Sequence, residues 1–502
     1  MTLRIWSALA PQLGLLSALL LGGCAVGPDY VRPAMTQNAH FSREEPLTGT
    51  ASSAVPGGAA QHLIEGMDIP GLWWTLFRSS ELTGLVEEAL RASPDVAAAQ
   101  ASLRQANELV YADRASLFPI VVANASTTRE KAKFGAFPPE LLTINAASVS
   151  VSYAPDVFGG TRREIEAAAA VAEYQQFELE ATYLTLTASV VNTAVTLASV
   201  RDQIAVTKDL VRIQEAGLNL AKSRLRLGAV SNSDVLAQEA VVAQTRATLP
   251  PLQRQLDQAR HQMTAYLGRF PNQEQVEHFE LAGLHLPEEL PISLPSSIIE
   301  QRPDVRAAEA RLHQASANIG VTIANELPQF NLTGSLGFNA SRLVDLFSPG
   351  TGVWALIGSV SQSLFDTGAR WHRKQAAVAA YDESAALYRG AVVKAFQDVA
   401  NVLRALDTDA DELKQQVDAE RAALDSLELT QTQYRLGAVG YVNLLTAQQT
   451  YQNAVLARVR AQASRYSDTV ALFQALGGGW WNRSKNTSQA QTGQVISPPL
   501  DQ

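Results

Sequence analysis

Apolar side chains recur every seven residues along an unusually long stretch, Thr161 to Leu227, which contains no proline and a single glycine, Gly217. Leu197, Ile204, Val211, Leu218 and Leu225 keep the beat, and Leu179, Tyr183, Leu186 and Val190 fill the intermediate spacing of three and four. That pattern predicts a helix packed along its whole length against neighbours. At about 1.5 Å per residue it would be a rod on the order of 100 Å long. A second stretch, Ala369 to Leu436, also lacks proline and has one glycine, Gly390. It carries two parallel rows: Val392, Val399, Leu406, Leu413 and Leu427, and beside them Phe396, Leu403, Ala410, Val417 and Leu424.

Both rods end in the same words, RLGAV at 226–230 and at 435–439, an offset of 435 − 226 = 209 residues. The same offset relates Pro94-Asp95-Val96 to Pro303-Asp304-Val305, Pro119 to Pro328, and Leu267-Gly268 to Leu476-Gly477. Matches at a constant offset are an internal duplication.

Between the helical stretches the period falls to two. Val149, Val151 and Tyr153 alternate with Ser148, Ser150 and Ser152, and Phe330, Leu332, Leu336 and Phe338 alternate with Asn331, Thr333, Ser335 and Asn339. Each half is expected to hold one hairpin, at 117–155 and 329–365, with strands long enough to cross an outer membrane. A soluble hairpin packed on helices would need a helix to cover its apolar face, whereas the adjacent helices are occupied by their own heptad seams. Four strands cannot close a barrel, and an open edge is not viable in lipid. Strands of this kind therefore imply that several chains complete one barrel together.

The remaining chain divides around these elements. Residues 1–23 read as a secretory signal with a basic start at Arg4 and an apolar run from Leu13 to Leu21, ending in a lipobox, Leu21-Gly22-Gly23-Cys24. Cys24, the single cysteine, is the expected lipidation site; Ala25 follows in place of the Asp that holds lipoproteins at the inner membrane. Residues 24–70, rich in Pro, Gly, Ser and Ala without a period, read as an extended arm. The first repeat would occupy 71–290, with helices, the hairpin, the long helix 161–227 and a return helix 234–267 interrupted by Pro250-Pro251. The second would occupy 291–481, with a long helix 369–436 and a return helix 443–476, leaving a polar tail at 482–502. Trp73 and Trp74 are expected as packing anchors where the arm meets the helices, and Ser93 as a cap before Pro94.

Composition narrows the function. One cysteine rules out an internal disulfide, and a net charge of −9 argues against nucleic acid as a partner. No apolar run after residue 25 reads as a membrane helix. The seven histidines are scattered without metal-ligand spacing, and no phosphate loop or nucleophile elbow is present. The sequence therefore predicts no enzyme, no metal and no cofactor apart from the covalent lipid.

LLLGGCAVGPDYVRP (19–33), the block from Trp73 to Ala99, VFGGTR (157–162) with LFDTGAR (364–370), the two RLGAV turns and ALGGGW (475–480) together resemble the outer-membrane factor family, the TolC/OprM-like exit ducts of efflux pumps, in its lipidated NodT-like branch. The resemblance implies an α+β membrane protein, internally duplicated, with four membrane strands plus long periplasmic helices per chain. It further implies a homotrimer forming a 12-strand β-barrel and a 12-helix α-barrel, lipid-anchored in the cell outer membrane and extending into the periplasm. The implied partners are a periplasmic adaptor (membrane fusion) protein and, through it, an inner-membrane transporter. On this reading the turns Arg226, Leu227, Gly228 and Arg435, Leu436, Gly437 contact the adaptor. By alignment the periplasmic gate falls at Asp234, Asn443, Thr446 and Gln449; related ducts often carry Asp at the first or second of the last three and Arg at the third, a pattern this chain lacks. Asp234 is equally suited to capping its own helix. The expected function is a passive exit duct for small molecules. Its rivals are a type I protein-secretion duct, a structural coiled-coil envelope lipoprotein and a lipid-anchored envelope enzyme.

Overall fold

A computed structural model describes residues 25–33, 41, 47–133, 138–273, 280–292 and 297–483. The signal peptide, Cys24 and the tail from residue 484 lie outside the described residues. The chain forms two compact units. One comprises the described residues of 25–33, 102–176 and 307–389; the other comprises those of 41–101, 177–306 and 390–483. Each unit draws on both copies of the duplication.

The first unit holds the strands β2 (Ile120–Ala132), β3 (Glu140–Tyr153), β5 (Gln329–Ala340) and β6 (Gly352–Ser361), in one antiparallel sheet of order β2-β3-β5-β6. Strands of 13, 14, 12 and 10 residues exceed or match the 9–11 or so that cross a bilayer. The register aligns one apolar row, Ala123-Val149-Leu336-Trp354, and the next, Val121-Val151-Gly334-Leu356. The alternate rows carry Asn124-Ser148 and Ser150-Ser335. Among the described residues no helix covers the apolar face: Leu336 is 64 %, Leu356 77 % and Trp354 78 % exposed. The last strand ends at Ser361, short of the expected Phe365, because its pairing with β5 ends at Gln329↔Ser361.

The helices follow the sequence closely. α1 spans Ser80–Ala92, capped by the Ser79 side chain on the Leu82 amide, and α2 spans Pro94–Ala115. The long helices are α3 (Gly160–Arg226) and, in the second copy, α8 (Ala369–Arg435), each 67 residues. Leu197, Val190, Val399, Leu406 and Leu413 are buried, as their rows require, whereas Leu424 at the end of the second row of α8 is exposed. One stretch of α3 is apolar and long enough to cross a membrane, contrary to the sequence reading, but most of it is buried in the fold. The first return helix is two helices, α4 (Asn232–Ala247) and α5 (Leu249–Tyr266). Pro250 and Pro251 sit in the first turn of α5, where no amide hydrogen is needed, so they start a new helix instead of kinking an old one. The four-residue α6 (Ile298–Gln301) precedes α7 (Pro303–Ala324). The second return helix, α9 (Tyr441–Ala475), is unbroken, with Val459 and Arg460 at the positions of the prolines.

The second unit contains the larger core. Trp73 and Phe77, in a 3-10 turn at Trp73–Phe77, are buried, and Trp73 stacks on Phe473 with centroids 5.2 Å apart. Trp73 and Trp74 are thus packing anchors. The arm is not wholly irregular, as the sequence suggested: β1 (His62–Glu65) pairs in parallel with β4 (Glu289–Ile292). Arg465, fully buried on α9, holds this arm. Its Nη1 donates to the Gly57 and Ala59 carbonyls at 3.3 and 3.1 Å, and its Nη2 to Thr50 Oγ1 and Gln61 Oε1 at 3.1 and 3.0 Å.

Candidate functional site: the paired helix tips

The two RLGAV turns are built alike. Ala229 N donates to the Arg224 carbonyl at 2.9 Å and Gly228 N to the Leu225 carbonyl at 2.9 Å. In the second copy, Ala438 N donates to the Gln433 carbonyl and Gly437 N to the Tyr434 carbonyl, at 2.9 and 3.1 Å. These paired bonds are Schellman caps, which need a left-handed residue. Gly228 and Gly437 supply it, each with φ of 75°. A Cβ at either would meet open space, so conformation and not crowding selects glycine. Arg226 Nη2 donates to Ser223 Oγ and Arg435 Nη2 to Thr432 Oγ1, both at 3.1 Å. Leu227 and Leu436, at equivalent positions, are 82 % and 79 % exposed. Each tip thus leaves a large apolar side chain bare beside an arginine.

Asp234 is the third residue of α4 and half of a capping box. The Ser231 amide and hydroxyl donate to its Oδ2 at 3.0 and 2.7 Å, while Ser231 Oγ accepts from its amide at 3.2 Å. Its described hydrogen bonds therefore serve the helix start. Asn443, Thr446 and Gln449 are exposed and share one face of α9. Thr446 donates to the Val442 carbonyl and Gln449 to Asn453 Oδ1, both within the helix. Among the described residues, the structure does not bring these three to Asp234 through any hydrogen bond.

What does join the two copies here went unnoticed in the sequence. Tyr441, at the start of α9, donates its hydroxyl to Gln238 Oε1 on α4 at 2.6 Å. Gln238 Nε2 in turn donates to the Gln214 carbonyl on α3 at 2.7 Å. Arg224 Nη1 donates to the Tyr434 hydroxyl at 3.2 Å, and the Tyr434 and Tyr441 rings lie 5.2 Å apart. Gln238 and Gln214 are fully buried. Burial, reinforced by Tyr434 and Asp234, pushes the Tyr441 phenol up to about 12, so it stays a donor throughout the physiological range. Two signals in the sequence could have found this network: Tyr434 and Tyr441 stand seven apart across the RLGAV turn, and Gln238 occupies a seam position between Val235 and Val242.

The paired tips, the uncovered sheet and the duplication agree with comparison to known proteins. The family model for outer membrane efflux protein matches twice, at residues 85–269 and 294–478, the two matches being offset by 294 − 85 = 209 residues. The pyoverdine export outer membrane protein OpmQ of Pseudomonas putida is 30 % identical over 420 residues, covering 81 % of this chain and 88 % of that protein. The probable efflux pump outer membrane protein TtgC of the same species is 28 % identical over 477 residues, covering 94 % and 96 %. Among solved structures, the outer-membrane channel OprN superposes with a TM-score of 0.80 at 28 % identity, covering 91 % of this chain and all of that one. The fold class is theirs: a duplicated α+β chain of trimeric barrel architecture, of a family that works with adaptors and inner-membrane pumps. With both of its halves matched, the chain belongs to the outer membrane efflux protein family and is an exit duct of the outer membrane.

Proposed function

We propose that three copies of this chain form the duct of a tripartite efflux system, anchored by lipid on Cys24. The carrying observation is the sheet: β2 and β6 are its end strands, both exposed along their length, and Leu336, Trp354 and Leu356 on its apolar face are exposed. A neighbouring copy supplies what each edge lacks, and lipid supplies the cover. The bare Leu227 and Leu436, with Arg226 and Arg435 beside them and the Gly228 and Gly437 caps beneath, suit a helical hairpin of the adaptor. Export is passive, driven by the inner-membrane transporter, and small molecules are the cargo.

The periplasmic end closes through Tyr441, Gln238 and Gln214 more than through a ring of charge. Asp234, with Asn443, Thr446 and Gln449, lines the approach to that constriction. Reconstitution in planar bilayers tests duct and closure together. The protein should insert as a trimer of small, stable conductance, and Tyr441→Phe should raise that conductance severalfold. The lost bond to a buried glutamine is worth roughly 1–3 kcal/mol, enough to shift a closed state toward an open one by about tenfold. A chain that stays monomeric in detergent and passes no current would overturn the reading.

A further inference from the structure

The segment just after Cys24 is seated in a slot of the first unit between the start of α3 and α7. Val26 donates its amide to the Phe158 carbonyl at 3.0 Å, and Arg163 Nε donates to the Val26 carbonyl at 3.1 Å. Arg163, 4 % exposed, also donates to Asp29 Oδ1 and to Glu166 Oε2, both at 2.7 Å. His313 Nε2 lies 2.9 Å from Glu166 Oε1, and its ring stacks on Tyr30 with centroids 4.4 Å apart. Arg32 pairs with Glu309 at 2.8 Å. Glycines allow the backbones to touch: a Cβ on Gly27 (φ of 96°) would lie 2.4 Å from Gly320 Cα, and one on Gly159 would lie 2.5 Å from Ala25 Cα.

Duplication did not produce this slot by default. At the offset of 209, Arg163 corresponds to His372, Glu166 to Gln375, Glu309 to Gln100, His313 to Arg104 and Gly320 to Tyr111. Of the six slot residues the second junction keeps one, Gly368 at the position of Gly159. Main-chain donors, a buried guanidinium, a stacked ring and a peripheral ion pair are also the elements by which proteins read a peptide. Burial opposes ionisation of Glu166, but Arg163 and His313 outweigh it and hold its carboxyl below the ordinary range, so the clasp is charged at neutral pH.

We infer that the slot formed by Gly159, Arg163, Glu166, Glu309, His313 and Gly320 is a sequence-specific binding site for the peptide Ala25–Arg32. It anchors the chain from Ala25 onward and delivers any pull on that segment to the β3–α3 junction. The peptide-binding claim stands apart from lipidation of Cys24, which the mass of the N-terminal proteolytic fragment reports separately.

The experiment uses the full-length protein in detergent. Gly27→Ala should free the segment, making cleavage by proteinase K between residues 25 and 33 at least about tenfold faster, with the rest of the digestion pattern unchanged. Leu109→Ser, at a side chain 52 % exposed and outside the segment, should leave cleavage as in the parent protein. A fluorescent peptide of sequence AVGPDYVR should bind saturably to the Gly27→Ala protein, whose slot is vacated, and poorly to the parent, whose slot is filled. The same peptide with Tyr30 replaced by alanine should not bind. Arg163→Met added to Gly27→Ala removes the clamp and should abolish peptide uptake, and circular dichroism verifies the fold of the double variant. Cleavage at the parent rate in Gly27→Ala, or peptide uptake indifferent to Tyr30 or Arg163, would overturn the inference.

Discussion

At the scale of single residues, Asp468 in the second unit is held against its charge. Burial and the adjoining carboxyl of Asp409 push it up to about 7, against the opposing charge of Arg465, and its Oδ2 has no hydrogen-bond partner. A carboxyl raised in the folded state binds its proton more tightly there than in the unfolded chain. Its cost is therefore absent at low pH, grows as pH rises from the ordinary carboxylate range, and is complete above about 7. Asp468→Asn should accordingly raise thermal stability at pH 8, by on the order of 1–2 kcal/mol after allowance for solvent and for the shared proton, and change little near pH 4. Melting curves at the two pH values check it; equal shifts at both would refute the titration. Residues of this kind were illegible in the sequence. Asp468, Arg465 and Gln238 are polar at positions of the helical repeat that turn inward, and one-letter patterning assigns polar side chains to solvent. The arm that Arg465 grips, and the tyrosine and the Gln214 carbonyl that Gln238 engages, make the burial of those two tolerable.

At the scale of elements, most of the chain could be read in advance, because long periodic stretches accumulate evidence residue by residue. The Schellman caps are a case in point: RLGAV announces a stop, and the geometry at Gly228 and Gly437 supplies it. β1 was missed because it has four residues and its partner begins 289 − 62 = 227 positions away, so no local signal marks it. The split of α4 from α5 was legible as an interruption at Pro250-Pro251, but whether it bent or ended the helix depended on a first turn the sequence alone does not define. The caps also separate stability from docking. Gly228→Ala should cost about 1 kcal/mol through its positive φ, with open space around the new methyl and little loss of export. Leu227→Asp with Leu436→Asp leaves both caps intact yet puts charge on the bare apolar surface. Drug susceptibility of a strain relying on this duct should rise at least about tenfold, with trimers unchanged on native gels. Export that survives the double substitution would remove these tips from the adaptor contact.

For the whole molecule, the decisive property is incompleteness. Every strand inside the sheet is paired, from Ile120↔Ser152 to Phe338↔Gly352, while the outer sides of β2 and β6 pair with no strand among the described residues. In hydrocarbon each unpaired backbone group costs several kcal/mol, so a lone sheet of this design cannot remain in the membrane. The apolar row ending at Trp354 and the polar row beside it then gain their meaning together: one face toward lipid, the other toward water. That arrangement was foreseeable from the alternation of Val149, Val151 and Tyr153 with serines, whereas the alignment of rows across four strands required the register. If the edges meet in the assembly, β2 of one copy lies beside β6 of the next. Cysteines scanned along 121–127 and paired with cysteines along 353–359 should therefore cross-link between chains at one register, giving dimers and closed trimers on denaturing gels. Since β3 and β5 separate the two edges within a chain, an intrachain link at these positions is geometrically excluded in the intact sheet. Abundant intrachain links, or none in membranes that conduct, would mean that the barrel is closed by some other edge.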